Sequence, residues 1–227
     1  MSTISKQNFK FLDELSANNN RPWFEQNKKR YELYHEEMIA FADALLNEVN
    51  KFDVIETPTG KKSLHRIYRD IRFSKDKTPY KTHWGGGFKR AEATRRGGFY
   101  YHIERGNAFV GGGFWSPSKE DLLHIRKQIE MDAKPLRKVL KSKAFKDYFG
   151  SLEGDTLKNA PKGFDKEHAD IDLLNHKQFI IWHKFTNKEV HDKNFYKEVA
   201  KGFKKMLPLF DVITDYLTTD LNGRSLL

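Results

Sequence analysis

The hydrophobic spacing changes period twice along this chain, from helical to alternating and back, and that order excludes most architectures. The apolar residues Phe24, Tyr31, Tyr34, Met38, Phe41, Leu45, Val49 and Phe52 fall mostly three, four or seven apart, which lays them on one stripe of a long helix and marks them as core. Arg21 and Pro22 open that helix, because proline is tolerated in a first turn. A shorter amphipathic helix precedes it over 5–15, capped by Ser5 and stopped by Asn18, Asn19 and Asn20.

From His65 the pattern alternates. Ile67, Arg69, Ile71 and Phe73 share one face of an expected strand, and Arg66, Tyr68, Asp70 and Arg72 share the other. Arg69 is the charged intruder on the apolar face, so it must meet a carboxylate or carbonyls, or line a cavity. After the loop "SKDKTPYK" further strands are expected over 84–89, 98–104 and 107–115, the last two forming a hairpin across Arg105 and Gly106.

Helical spacing then returns. Ser116, Pro117 and Ser118 start a helix, with Asp121 placed for a capping box, and a second helix runs from Pro135 to Gly150. A long loop over 151–175 holds a short helix at 171–174, where aspartates are expected as caps. A strand over 177–185 follows, and Asp192 caps a C-terminal helix that Pro208 kinks or restarts. Helices at both ends, short strands between them and no regular βαβ order predict an α+β fold. The central sheet is expected to be mostly antiparallel, flanked by N-terminal and C-terminal helices. At 227 residues a single α+β domain over 1–227 is the expectation.

Composition narrows the chemistry. There is no cysteine, which removes thiol catalysis, Cys-ligated zinc and iron–sulfur clusters and suits a reducing compartment. No apolar run approaches the roughly 20 residues of a membrane helix, and Ser2, Thr3, Ser5 and Lys6 stand where a signal peptide would be apolar. The expected location is cytoplasmic, with no membrane partner. The net charge is +10, and twelve Lys and Arg against three acids between Lys61 and Arg96 account for nearly all of it.

Within that basic region, His65 to Phe88 interleaves Arg66, Arg69, Arg72, Lys75, Lys77 and Lys81 with Tyr80 and Trp84. Guanidinium groups grip phosphates and aromatic faces stack on bases, so these eight residues form the expected ligand-binding set and a phosphorylated small molecule or nucleic acid is the expected partner. An alternative is an enzyme on a small anionic substrate, with Asp70, Asp76, His83 and His102 supplying acid–base or metal chemistry. A third reading makes the segment a structural clasp whose charges pair internally. No metal-ligand spacing such as H-E-x-x-H occurs and no metal is assigned; His83, His102, Asp70 and Asp76 could nonetheless meet in space as nitrogen and oxygen donors. The glycine runs Gly85 to Gly87 and Gly111 to Gly113 match no nucleotide-binding loop and are read as strands approached closely by other groups, Trp84 or Trp115 among them. No cofactor, reaction or oligomeric state follows.

The stretches "FLDELSANNNRPWFEQNKKRYE", "RIYRDIRFSKDKTPYKTHWGGGF", "GGFYYHIERGNAFVGGGFWSP" and "LEGDTLKNAPKGFDKEHADIDLL" together resemble the bacterial and fungal family known as domain of unknown function 2461. The distinctive core is Arg-Asp-x-Arg-Phe-Ser-x-Asp-Lys-x-Pro-Tyr-Lys, from Arg69 to Lys81. The resemblance covers nearly the whole chain and implies kinship without an activity or a site to carry over.

Overall fold

The computed structural model describes residues 2–92 and 94–227. Among them, ten helices accompany one four-stranded antiparallel sheet, so the fold is α+β. Helices α1 (Lys6–Ala17), α2 (Arg21–Gln26), α3 (Lys28–Val49) and α4 (Gly60–Ser63) lead into strands β1 (Trp84–Lys89), β2 (Gly98–Ile103) and β3 (Ala108–Phe114). Helices α5 (Lys119–Met131), α6 (Lys134–Lys141), α7 (Lys143–Phe149) and α8 (Ile171–Leu174) precede β4 (Phe179–Phe185), and α9 (Asn187–Val190) and α10 (Phe195–Thr218) close the chain. The strands lie in chain order, β1-β2-β3-β4. No helix among the described residues is long and apolar enough to cross a membrane.

The chain divides into two compact units. The first comprises the chain up to Phe88 with Tyr100–Val110 and Lys184–Lys201; the second comprises Lys89–Phe99, Gly111–His183 and Gly202–Leu227. In the first unit, Phe9, Phe11, Leu12 and Leu15 of α1, Phe24 of α2 and Met38, Phe41 and Leu45 of α3 are buried with Trp84, Phe88 and Tyr101. Phe41 stacks on Phe195 at 5.7 Å and meets Tyr101 edge-on. In the second unit Phe99 packs on Phe203 and Phe210 of α10 at 4.7 and 5.2 Å.

Local chemistry explains where the elements depart from expectation. The expected helix from Arg21 to Phe52 is two helices, α2 and α3, because the Asn27 side chain donates to the Trp23 carbonyl at 2.9 Å and accepts from Arg30, competing with the helical ladder. The stretch from Pro135 to Gly150 likewise divides at Ser142, whose hydroxyl caps α7. Ser118 caps α5 as expected, but the Asp121 carboxylate goes to Arg96 at 2.5 Å instead of completing a capping box. Asp170 stands at the cap position of α8 with no capping hydrogen bond, since Arg137 takes it at 2.8 Å and Asp172 as well. Asp192 accepts from Asn194, just ahead of α10, and that helix runs unbroken through Pro208.

The largest departure is the expected strand over 65–73, which does not form. Among the described residues its β-pairing is limited to the single bridges Leu64 to Gly86 and Tyr68 to Tyr80. Asp70 folds back to accept from the Arg72 backbone, Asp76 does the same for Thr78, and Phe73 is 96% exposed. Side-chain turns of this kind divert backbone donors away from a ladder. Both glycine runs do lie in strands under close approach, although not by tryptophan: a Cβ at Gly86 would strike the Tyr101 hydroxyl, and one at Gly113, with φ of +129°, would strike the Phe179 carbonyl.

Candidate functional site

Alternation along β2 separates two kinds of residue. Phe99, Tyr101 and Ile103 face the core, while Tyr100, His102 and, just beyond the strand, Glu104 share the opposite parity. Because β1 pairs antiparallel with β2, the start of β1 lies beside the end of β2, and His83 arrives next to His102. The two imidazoles are 4.2 Å apart between centroids, and Phe109 of β3 stacks on the other side of His102 at 4.7 Å and 12°. His102 is therefore clamped, and only 8% exposed.

Its two ring nitrogens are both engaged. Nε2 lies 3.2 Å from Glu104 Oε2 and Nδ1 lies 3.1 Å from the Tyr100 hydroxyl. The carboxylate can only accept, so in this arrangement Nε2 carries the proton and Nδ1 accepts from Tyr100. Asn107 donates to the same Glu104 oxygen at 2.9 Å. One donor atom from each of His83, His102 and Glu104 lies within 4.8 Å of the others, an arrangement that could hold a metal ion.

Burial sets the charge states. It lowers His83 to about 4, with the neighbouring His102 adding to the effect, and lowers His102 against the pull of Glu104. Both rings are neutral at physiological pH, the form that binds metals. Burial opposes ionisation of Glu104, yet the hydrogen bonds from Asn107 and His102 hold its carboxyl below the usual value. Burial also raises Tyr100, so its phenol stays protonated.

Six of the sequence candidates, Arg69, Asp70, Asp76, Tyr80, Lys81 and His83, line one cavity of about 540 Å³. Within it most charges are paired. Arg69 meets Asp76 at 2.6 Å and the Thr78 carbonyl at 3.0 Å, which meets the requirement placed on a charge among apolar neighbours. Arg72 holds Asp70 at 2.7 Å, and Lys77 donates to the Ile71 carbonyl. Lys81 is half-buried, and burial followed by the Arg66 charge lowers its pKa. Arg66 and Lys75 are exposed.

The two aromatics expected to stack on bases are core residues. Tyr80 is 3% exposed and lies flat on Phe24 at 4.0 Å, and Trp84 is 2% exposed with its indole N–H donated to Asn8 at 2.6 Å. The carboxylate that joins His83 and His102 is Glu104, in place of Asp70 or Asp76, which the arginines hold. Glu104 and Tyr100 were legible in principle: Tyr-x-His-x-Glu inside a strand puts three polar groups on one face.

No curated protein and no solved structure matches the chain. The model of the family of a conserved hypothetical protein (DUF2461) matches residues 7–211, and the chain belongs to that family.

Proposed function

We propose that the protein is a metal-dependent enzyme acting on a small anionic substrate, with His83, His102 and Glu104 as the metal ligands. The observation that carries this reading is the convergence of those three donors within 4.8 Å, from β2, the residue just after it and the residue just ahead of β1. Two imidazoles and one carboxylate suit zinc, iron or manganese and leave positions open for water or substrate. Metal bonds to nitrogen and oxygen run about 2.0–2.2 Å, which puts neighbouring ligands about 3.0–3.4 Å apart. The 3.2 Å between His102 Nε2 and Glu104 Oε2 already has that spacing. With Nε2 on a metal, Nδ1 would carry the proton and donate to Tyr100, whose hydroxyl serves either tautomer. A bound metal would supply an activated water or a polarised substrate oxygen.

The cavity lined by His83 and Lys81 is the expected substrate site, with Lys81 as the anchor for an anionic group. A phosphorylated ligand or nucleic acid bound along His65 to Phe88 has less support, because Arg69 and Arg72 are paired and Tyr80 and Trp84 are buried. A metal-free proton relay from Tyr100 through His102 to Glu104 is a second reading, favoured by the existing hydrogen bonds.

The test is metal retention. Protein stripped with chelator, reloaded with Zn2+, Mn2+ or Fe2+ and desalted should keep about one equivalent of one of them. His83→Ala and Glu104→Gln should keep none while their circular dichroism stays native. Wild-type protein that retains no metal would exclude the metal reading and leave the relay.

A further inference from the structure

A second cavity, of about 640 Å³, lies among the start of α1, the β2–β3 turn and α9. Lys6, Lys10, Arg105, Lys188 and His191 line it, and no carboxylate does so among the described residues. These cations are spread from residue 6 to residue 191, so no local count of charge along the chain finds them. None of them belongs to the basic segment at His65 to Phe88.

The arrangement is held by the scaffold. Lys6 and Lys10 stand one turn apart on the same face of α1, where like charges repel. Arg105 is anchored through Nε to Asp13 at 2.8 Å and lies over the buried ring of Phe9 at 5.6 Å. His191 packs edge-on against the same ring at 4.8 Å, and its Nδ1 is 2.9 Å from the Ile4 carbonyl. A carbonyl only accepts, so Nδ1 carries a proton and Nε2 is the remaining ring nitrogen. The Gly106 N–H donates to Asn187 at 2.7 Å, tying the turn that bears Arg105 to α9, which bears Lys188. Lys6, Lys10 and Lys188 make no ion pair among the described residues, and Glu14, whose charge is felt by Lys10, is engaged by Arg30.

Three lysines without an ion pair, beside an Arg105 whose charge Asp13 meets only through Nε, concentrate positive charge around a concavity that an anion would neutralise. We propose that this cavity binds a small, multiply charged phosphate compound of the di- or triphosphate class. Its volume falls in the range of small-ligand sites, about 300–1,000 Å³. Arg105 offers a planar fork, and the lysines offer mobile point charges that follow a chain of phosphoryl groups. This site is independent of the metal ligands, so either assignment can stand without the other.

Calorimetric titration of metal-free protein with inorganic orthophosphate, pyrophosphate and tripolyphosphate tests it. Affinity should rise in that order and fall as salt is raised. Lys10→Ala/Lys188→Ala, at two exposed positions, should bind tripolyphosphate about tenfold more weakly or worse. Lys75→Ala/Lys77→Ala in the basic segment, and His102→Ala in the metal cluster, should bind it as wild type does. Absence of binding to wild-type protein, or equal binding by a folded Lys10→Ala/Lys188→Ala variant, would overturn the proposal. So would a labelled oligonucleotide that binds through these lysines while tripolyphosphate does not.

Discussion

The segment from Arg66 to Lys81 and the strand face of Tyr100, His102 and Glu104 belong to the same unit yet are built on opposite terms. The first is dense in charge, and both of its aspartates are taken up within a few residues: Asp70 by Arg72, Asp76 by Arg69. The second holds few polar groups, but they are drawn from β2 and the residue ahead of β1 and are fixed between aromatic rings. Acids set among cations along a chain are paired locally, because neighbours in sequence reach each other first. On the strand face the polar groups also meet neighbours two residues away, but strand pairing adds His83, a partner from distant sequence that no local count of charge reveals.

The sharpest way to break that contrast is to truncate side chains in each region. His102→Ala should drop retained metal to background, whereas Arg66→Ala/Arg72→Ala should leave it unchanged, as read by elemental analysis after desalting. Equal losses would erase the distinction. A smaller effect concerns Trp84, which sits at the boundary of the two regions as a core residue. Asn8→Ala leaves its buried indole N–H unpaired and should cost about 1–3 kcal/mol in denaturant unfolding. Tyr100→Phe removes only the partner of His102 Nδ1, so metal affinity should weaken about tenfold with little change in melting temperature.

The smallest effect is expected in the charged segment itself. Arg72 lowers the Asp70 carboxyl, and the Thr78 backbone with Arg69 lowers that of Asp76. Their folded pKa values lie below the unfolded ones, so the stabilisation is present above about pH 4 and is lost as pH falls through the folded values. Asp70→Asn/Asp76→Asn should therefore flatten the acid limb of a melting curve while leaving the neutral melting temperature almost unmoved, since both pairs are solvent-screened. A clear loss at neutral pH would favour the clasp reading of this segment.

What the sequence made legible follows from range of interaction. The strands expected over 84–89 and 98–104, the second observed over 98–103, the stop at Gly150 and the short helix at 171–174 rest on alternation, a left-handed glycine and local spacing, all visible within a few residues. The strand expected over 65–73 failed because alternation alone does not reveal that Asp70 and Asp76 bond their own backbone. Among the proposed ligands, His83 and His102 stand out by residue type, and strand parity adds Glu104 and Tyr100 to the same face as His102. Lys6, Lys10, Arg105, Lys188 and His191 were beyond reach, since only tertiary packing on Phe9 and the Gly106 to Asn187 hydrogen bond gathers them.

The alternation in β2 has a consequence for how this chain can change its length. Tyr101 fills the core under Gly86 while its neighbours Tyr100 and His102 point the other way. Deleting or inserting one residue between Phe99 and Ile103 would exchange the two faces, sending an imidazole toward phenylalanines and a core tyrosine into the cluster. Substitutions there can be absorbed one at a time, but a change of length is lost all at once. The turn at Gly106, where added atoms meet open space, is the place nearby where length can vary without that penalty.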